Sequence, residues 1–353
     1  MKLENLQTPV IIVDEDIFNE NAKAMAKILD GKKMRLRPHF KSHKCADIAR
    51  LQMENGAVGI TCAKLSEAKD LVDSGIENIL IANQITDPEK ITALAYLAKS
   101  CTLTVCVDNE ENVYALNKAC AFANSKLHVL IEYEIGMKRC GIKEDNEVLA
   151  LAKIVNSCEN LVFDGIQAYA GHISHEIGEE NRLTLTKANE DKIKKLLAVL
   201  AENGINVNIL SGGSTGTSII KAEAGLYTEL QAGSYLFMDS TYGDLKLPFK
   251  NSLFVLSTVV SVKDGLVVVD AGVKSCGVDQ GMPKPVSFTA SEIVASEEHF
   301  QLHNPTKEFK VGDKVLLIPG HCCSTVNLHD KIYFFKGDKV TKRVFVTARG
   351  CSK

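Results

Sequence analysis

Over the first 240 or so positions, short apolar runs rich in Val and Ile alternate with amphipathic stretches of roughly ten to twenty residues. Strand patterns fall near 34–40, 59–63, 79–82, 102–108, 128–134, 162–169, 207–211 and 229–235. Between them lie helical patterns such as KCADIARLQMENG, KLSEAKDLVDSG and DPEKITALAYLAKS. Gly56 and Gly75 stand at helix C-termini and Pro88 at a helix start. Eight consecutive βα units predict a (β/α)8 TIM-like barrel rather than an open doubly wound sheet.

Beyond about residue 245 the pattern changes to strands and turns without long helices: SLFVLSTVVSVKDGLVVVDAG, FKVGDKVLLIPG, KIYFFKGDKVTKRVFVT. Lys263, Asp264 and Gly265 read as one hairpin turn, and Lys336, Gly337 and Asp338 as another. The apolar run Val10 to Val13 precedes the eight units and is left over, free to pair with the later strands. The expected organisation is a barrel over 15–244 and a C-terminal β domain built from 245–353 plus 1–14.

Composition narrows the function classes. A net charge of −3 offers no basic footprint for nucleic acid or an anionic membrane. No apolar stretch approaches the length needed to span a bilayer. Glu4, Asn5 and Gln7 stand where a signal peptide would place its apolar core, so no export signal is expected. The 11 cysteines are odd in number and follow no paired spacing, so most are expected as buried thiols of a cytoplasmic protein.

In a barrel of this kind catalytic groups stand at the C-terminal ends of the strands. Strand one ends in RPHFKSHK, strand five in EYEIGMKRCG, strand six in QAYAGHISH, strand seven in LSGGSTGT and strand eight in QAGSYLFMD. Gly213, Ser214 and Thr215, with Gly233 and Ser234, follow strands seven and eight, where glycine lets backbone N–H groups approach a phosphate. Lys41 is crowded by Arg37, His39, His43 and Lys44, a setting that favours a Schiff-base nucleophile but also describes a solvated basic loop. A lysine facing a phosphate cup points to pyridoxal 5′-phosphate. His321 and Cys323 are one residue apart after the strand KVLLI. If the backbone stays extended they share a face and hold one ion, with zinc favoured by the imidazole and thiolate pair. Buried cysteine is the competing reading, and Cys322 is an alternative inward residue.

TPVIIVDEDIFNEN, LRPHFKSHK, GMKRCG, YAGH, SGGSTGT, ELQAGSYLFMD, DAGVKS, VDQG and PGHCCST, in that order, resemble the D-serine dehydratase and D-threonine aldolase family. The resemblance implies a fold-type III pyridoxal phosphate enzyme with an alanine-racemase-like barrel, the amino-terminal strand joining the β domain. It implies Lys41 as the cofactor lysine, Arg139 near the cofactor ring, Tyr169 beside it, and Gly213, Ser214, Thr215, Gly233 and Ser234 around the phosphate. Two readings are open for His172: a substrate contact or a satisfied core histidine.

Metal-dependent members of the family place a His-x-Cys or His-x-Asp pair at the position of His321 and Cys323. Cysteine resembles the zinc-dependent dehydratase branch, and aspartate the manganese-supported aldolases; another divalent cation would also suit the site. The expected reaction is therefore zinc-assisted dehydration of a small β-hydroxy D-amino acid, D-serine foremost, to pyruvate and ammonia. The alternatives are retro-aldol cleavage of D-threonine to glycine and acetaldehyde, and a 3-hydroxy-D-aspartate dehydratase or aldolase in which Arg37 or His39 meets the second carboxylate. A non-catalytic pyridoxal phosphate carrier is disfavoured by the β domain, and a racemase by the lack of a matching second base. The resemblance also implies a head-to-tail homodimer.

Overall fold

The computed structural model describes residues 1–353, and the chain divides into two compact units. The first comprises residues 28–41, 48–233 and 351–353. In chain order the strands are β1 (Val10–Asp14), β2 (Arg35–Leu36), β3 (Ile60–Cys62), β4 (Asn78–Ile81), β5 (Thr102–Val107), β6 (Leu127–Glu132), β7 (Leu161–Ala168), β8 (Ile209–Gly212) and β9 (Glu229–Leu230). The helices are α1 (Glu15–Leu29), α2 (Ala46–Glu54), α3 (Leu65–Asp73), α4 (Pro88–Leu97), α5 (Glu110–Ala123), α6 (Asp145–Ser157), α7 (Glu179–Glu202) and α8 (Ser218–Ala224).

β2 to β9 form one parallel sheet in the order β2-β9-β8-β7-β6-β5-β4-β3. The two ends meet: Val58 N donates to Leu36 O and Thr61 N to Pro38 O, each at 2.9 Å, and His39 bridges Thr61 in parallel. The sheet therefore closes into the expected eight-stranded barrel. Its strands carry buried apolar residues on both faces, as helix-covered parallel strands require. Leu80, Cys106 and Leu130 on three adjacent strands form one buried cluster. The period of two carries that same face forward to Ala82, Gln84 and Glu132, where polar groups replace the apolar core.

Local chemistry sets the helix ends. Asp87 caps α4 by accepting from Lys90 N at 3.0 Å, with Pro88 in the first turn, and Asn109 caps α5 through Asn112 N at 2.9 Å. The outer barrel strands are shorter than the sequence pattern predicts. Pro38 has no N–H for the ladder, so regular β2 ends before it, although Arg37 N and His39 N still donate to Leu230 O and Ala232 O. β9 likewise ends at Leu230, ahead of a 3₁₀ turn at Ser234–Leu236.

The second unit comprises residues 1–27, 42–47 and 234–350. It adds β10 (Leu253–Lys263), β11 (Leu266–Val269), β12 (Lys284–Pro285), β13 (Glu292–Ala295), β14 (Phe300–His303), β15 (Lys314–Ile318), α9 (Cys322–Val326), β16 (Lys331–Lys336) and β17 (Lys339–Phe345). β1 lies inside this sheet, antiparallel to β10 and parallel to β16, so the leftover amino-terminal run pairs as expected. Leu6, Val10, Ile12, Phe254, Leu256 and Phe335 bury one face of it, and Phe18 of α1 packs edge-on against Phe334 at 5.3 Å. Both hairpins close through two-residue turns, with Gly265 and Gly337 at positive φ. No helix of the chain is long and apolar enough to cross a membrane.

Candidate active site

The C-terminal ends of the barrel strands enclose a cavity of about 190 Å³ lined by His39 and Lys41 after β2, Ala82 and Gln84 after β4, Glu132 of β6 and Gln167 of β7, with Arg139, Tyr169 and Gln231 completing it. Lys41 sits in the 3₁₀ turn Phe40–Ser42 that follows Pro38, exposed to the cavity mouth. Two cations approach the Tyr169 ring: Lys41 Nζ and Arg139 Cζ each lie 5.9 Å from its centroid. Three residues expected at the site from their motifs thus converge.

Arg139 is aimed by its own loop. Glu134 Oε1 accepts from Gly136 N at 2.6 Å and Lys138 N at 2.9 Å, folding GMKRCG back over the end of β6. Desolvation opposes the Glu134 charge, but those two N–H donors hold its carboxyl below the usual range. Arg139 Nη2 lies 3.6 Å from Glu132 Oε1, and Gln84 Nε2 donates to Glu132 Oε2 at 2.7 Å. Burial raises the Glu132 carboxyl above its ordinary range, against the pull of Gln84 and Arg139.

The cavity floor is an amide cluster. Gln231 Nε2 donates to Gln167 Oε1 at 2.6 Å and to Ser211 Oγ at 2.9 Å. Glu132, Gln84, Gln167 and Gln231 were not singled out by the motifs. The signal was available in the last polar position of apolar strands such as HVLIE and GIQA.

The surroundings of Arg37 and His172 narrow the readings open for each. Arg37 is not available to a substrate: it is buried and held by both oxygens of Glu229, Nε–Oε2 at 2.8 Å and Nη2–Oε1 at 2.7 Å, with Nη1 on Asn78. That pairing also removes one member of the cation crowd around Lys41. His172 is no core histidine: it is exposed in the turn Gly171–Ile173 and packs on Gly136, where an added Cβ would come within 2.8 Å of the ring.

The loop after β8 has the features of an anion cradle. Gly213 holds φ +76°, Ser214 N donates to Thr217 Oγ1 at 3.1 Å, and Thr215 Oγ1 is buried without a protein partner. An orphaned buried hydroxyl beside a glycine backbone fits a phosphate ester. Gly233 ends the barrel unit's main segment, and Ser234 opens the 3₁₀ turn Ser234–Leu236 of the second unit.

His321 and Cys323 face one another, but not by the extended geometry expected of them. β15 ends at Ile318, His321 caps α9 with extended φ and ψ, and Cys323 lies in the first turn of that helix. Asp239 is the reason: its Oδ2 accepts Cys322 N at 3.0 Å and starts the helix there. His321 Nδ1 is 2.7 Å from Asp279 Oδ2, leaving Nε2 for another partner. Burial disfavours the charged ring, yet hydrogen bonds to Cys323 and Asp279 carry its pKa up to about 9. Cys323 Sγ lies 3.9 Å from Ser234 Oγ. No group of three or more His, Cys, Asp or Glu side chains is arranged to hold a metal. None of the 11 cysteines is in a disulfide, and seven of them are buried.

Residues 13–241 match the family model described as alanine racemase, N-terminal domain, and residues 252–335 match a serine dehydratase domain. The chain is 36% identical to a 3-hydroxy-D-aspartate aldolase of Paracoccus denitrificans, covering 99% of this chain and 94% of that one. It is 36% identical to a D-threonine aldolase of an Arthrobacter species, covering 99% and 95%. The crystal structure of D-threonine aldolase from Filomicrobium marinum superposes with a TM-score of 0.95 at 35% identity, over 100% of this chain and 98% of that one. A D-serine dehydratase of Dictyostelium discoideum is more distant, at 26% identity. That ordering runs against the expectation that Cys323 marks a D-serine dehydratase and favours the aldolase alternative. The chain belongs to the alanine-racemase-like, fold-type III pyridoxal phosphate enzymes, as a lyase of the group that holds the D-threonine and 3-hydroxyaspartate aldolases and the D-serine dehydratases.

Proposed function

We propose that this chain cleaves the Cα–Cβ bond of a small β-hydroxy D-amino acid, releasing glycine and an aldehyde: acetaldehyde from D-threonine, or glyoxylate from 3-hydroxy-D-aspartate. The observation that carries the reading is near-complete coverage, at 36% identity, by relatives named for those two cleavages. Pyridoxal phosphate, when bound, supplies the electron sink that accepts the pair left at Cα.

Lys41, which lines the cavity, would hold the cofactor through its carbonyl carbon, and its Nζ stands where it would also serve as a base within the site. Tyr169, whose ring lies near both Lys41 and Arg139, would offer the cofactor an aromatic surface. Arg139 brings a fixed positive charge, braced by Glu132. Gly213, Ser214 and Thr215 take the phosphate, with the unpartnered Thr215 hydroxyl as donor. Gln84, Gln167 and Gln231 offer amide donors and acceptors for a zwitterionic substrate in a cavity with room for only a short side chain.

We also propose His321 and Cys323 as the protein ligands of a divalent cation, zinc by the softness of the thiolate. Two protein donors leave coordination positions open, and the Asp279 carboxylate fixes which imidazole nitrogen is offered. Bound there, the ion would supply Lewis acidity.

Product analysis tests the reaction. Purified holoenzyme incubated separately with D-threonine, 3-hydroxy-D-aspartate and D-serine is expected to form glycine from one or both of the first two. Pyruvate, 2-oxobutyrate or oxaloacetate with no glycine from any substrate would overturn cleavage in favour of elimination.

A further inference from the structure

Among the buried groups with no place in the chemistry above, Lys221 stands out. It lies in α8, its side chain is buried, and its Nζ has no hydrogen-bond partner. An unpaired ammonium in a protein interior is costly, and such groups are retained where something offsets them. Two features of its surroundings show what that is. Its Nζ sits 3.7 Å from the centroid of the Tyr227 ring, whose hydroxyl is tied to Ala168 O at 3.0 Å. Its stem runs against the glycine-rich loop: a Cβ on Gly213 would meet Lys221 Cδ at 2.9 Å, and a Cβ on Gly212 would meet the Tyr227 ring at 3.0 Å. The lysine and its tyrosine therefore pack against the two glycines that begin the phosphate loop.

The nearby carboxylate does not explain the lysine. Glu190 of α7 is also buried, and its Oε1 is likewise without a partner, so the two opposite charges share a region without bonding. Burial lowers the Lys221 pKa to about 8, against the opposing pull of Glu190, which leaves the ammonium poised to gain from an added negative charge. The loop it supports carries a second orphan, Thr215 Oγ1. A doubly charged ligand on that loop would take up the Thr215 hydroxyl and lie in the field of the buried ammonium behind the loop.

We propose that Lys221 is a positioning residue for the cofactor's phosphate: its buried ammonium, seated on Tyr227 against Gly213, supplies through the loop the positive charge that makes this site select a phosphorylated pyridoxal. The proposal rests on assigning the Gly213–Thr215 loop to that phosphate. The interaction acts through the loop, so its signature is the ratio of affinities for pyridoxal 5′-phosphate and for pyridoxal, which lacks the phosphate.

Lys221→Met keeps the length of the side chain and removes the charge. Apo-protein carrying it is expected to bind pyridoxal 5′-phosphate about tenfold more weakly than the wild type, with pyridoxal affinity unchanged. Its apo-protein melting temperature is expected to equal or exceed that of the wild type, because an unpaired buried charge has been replaced by an apolar group of similar shape. An unchanged affinity ratio, or equal losses for both ligands, overturns the proposal. The same ratio measured on Lys221→Gln decides the matter if the methionine variant fails to fold. Failure of the underlying assignment reads differently: Gly213→Ala, which crowds the loop itself, would then leave the affinity for pyridoxal 5′-phosphate unchanged.

Discussion

Arg37 and Glu229 form a bidentate ion pair that joins the first strand of the barrel to the last, with side chains only 5% and 8% exposed. β2 and β9 are two residues each, so few ladder bonds hold the seam. The ion pair compensates for them. Because each charge is buried against the other, removing one partner leaves the second uncompensated. Arg37→Met is expected to lose about 3–5 kcal/mol of unfolding free energy in denaturant titration. The double variant Arg37→Met/Glu229→Leu should recover part of that loss; a double variant no better than Arg37→Met alone would show that the pair's charge is not the source.

Lys41 carries the covalent assignment. Lys41→Ala holoprotein, after borohydride treatment and denaturation, is expected to retain no cofactor, whereas the wild type retains about one equivalent per chain. A cofactor fixed to the alanine variant would move the linkage to another lysine, with Lys44 of the same segment the first to examine.

Much of this architecture is legible in the chain, and the exceptions have physical causes. Short continuous apolar runs and period-3.6 patterning find the barrel because its strands are apolar on both faces and its helices amphipathic. The strand ends around Pro38 and Gly233 are overrun, since single backbone hydrogen bonds continue there beyond the regular ladder. Lys41, Arg139 and Tyr169 are found through motifs, whereas Glu132, Gln167 and Gln231 are hidden as single polar residues in apolar strands. Arg37 misleads for the converse reason: its partner, Glu229, is 192 positions away. Cys323 by itself does not choose between the two reactions, since a residue proposed as a metal ligand bears on which ions would suit the site, not on which bond breaks.

Asp279 controls the proposed metal pair from behind. Its Oδ2 holds His321 Nδ1 at 2.7 Å while its Oδ1 accepts from Ser324 Oγ at 2.5 Å, so ring orientation depends on a carboxylate that is itself anchored. Asp279→Ala is expected to weaken zinc binding by about 10–100-fold in chelator competition. His321→Ala should abolish it. Equal zinc affinity in Asp279→Ala and wild type would separate the carboxylate from the metal.

His128 of β6 and Asp164 of β7 supply a pH-dependent contact, with Nδ1 and Oδ2 2.8 Å apart. The hydrogen bond to Asp164 raises the His128 pKa above its usual value, against a smaller opposing effect of burial. A raised folded-state pKa stabilises the protein fully below the unfolded value of about 6.5 and loses that stabilisation as pH rises through the folded value. Both groups are partly solvated, so the contribution is about 1 kcal/mol or less. The stability gap between wild type and Asp164→Asn should therefore be larger at pH 6 than at pH 9. A gap that is flat or grows with pH would remove the pair from the account.

Gly213 and Gly204 separate backbone strain from site geometry. Both hold positive φ, +76° and +73°, a conformation that costs a side chain about 1–2 kcal/mol. An added Cβ at Gly204 meets nothing within 4 Å, whereas at Gly213 it comes within 2.9 Å of both Leu230 Cδ1 and Lys221 Cδ. Gly204→Ala should therefore lower the melting temperature and leave cofactor affinity as it was. Gly213→Ala must also displace the loop or the lysine beneath it, so it is expected to lose pyridoxal 5′-phosphate affinity in addition. If the two variants lose stability alike and bind the cofactor alike, the loop after β8 is a turn and the phosphate is held elsewhere.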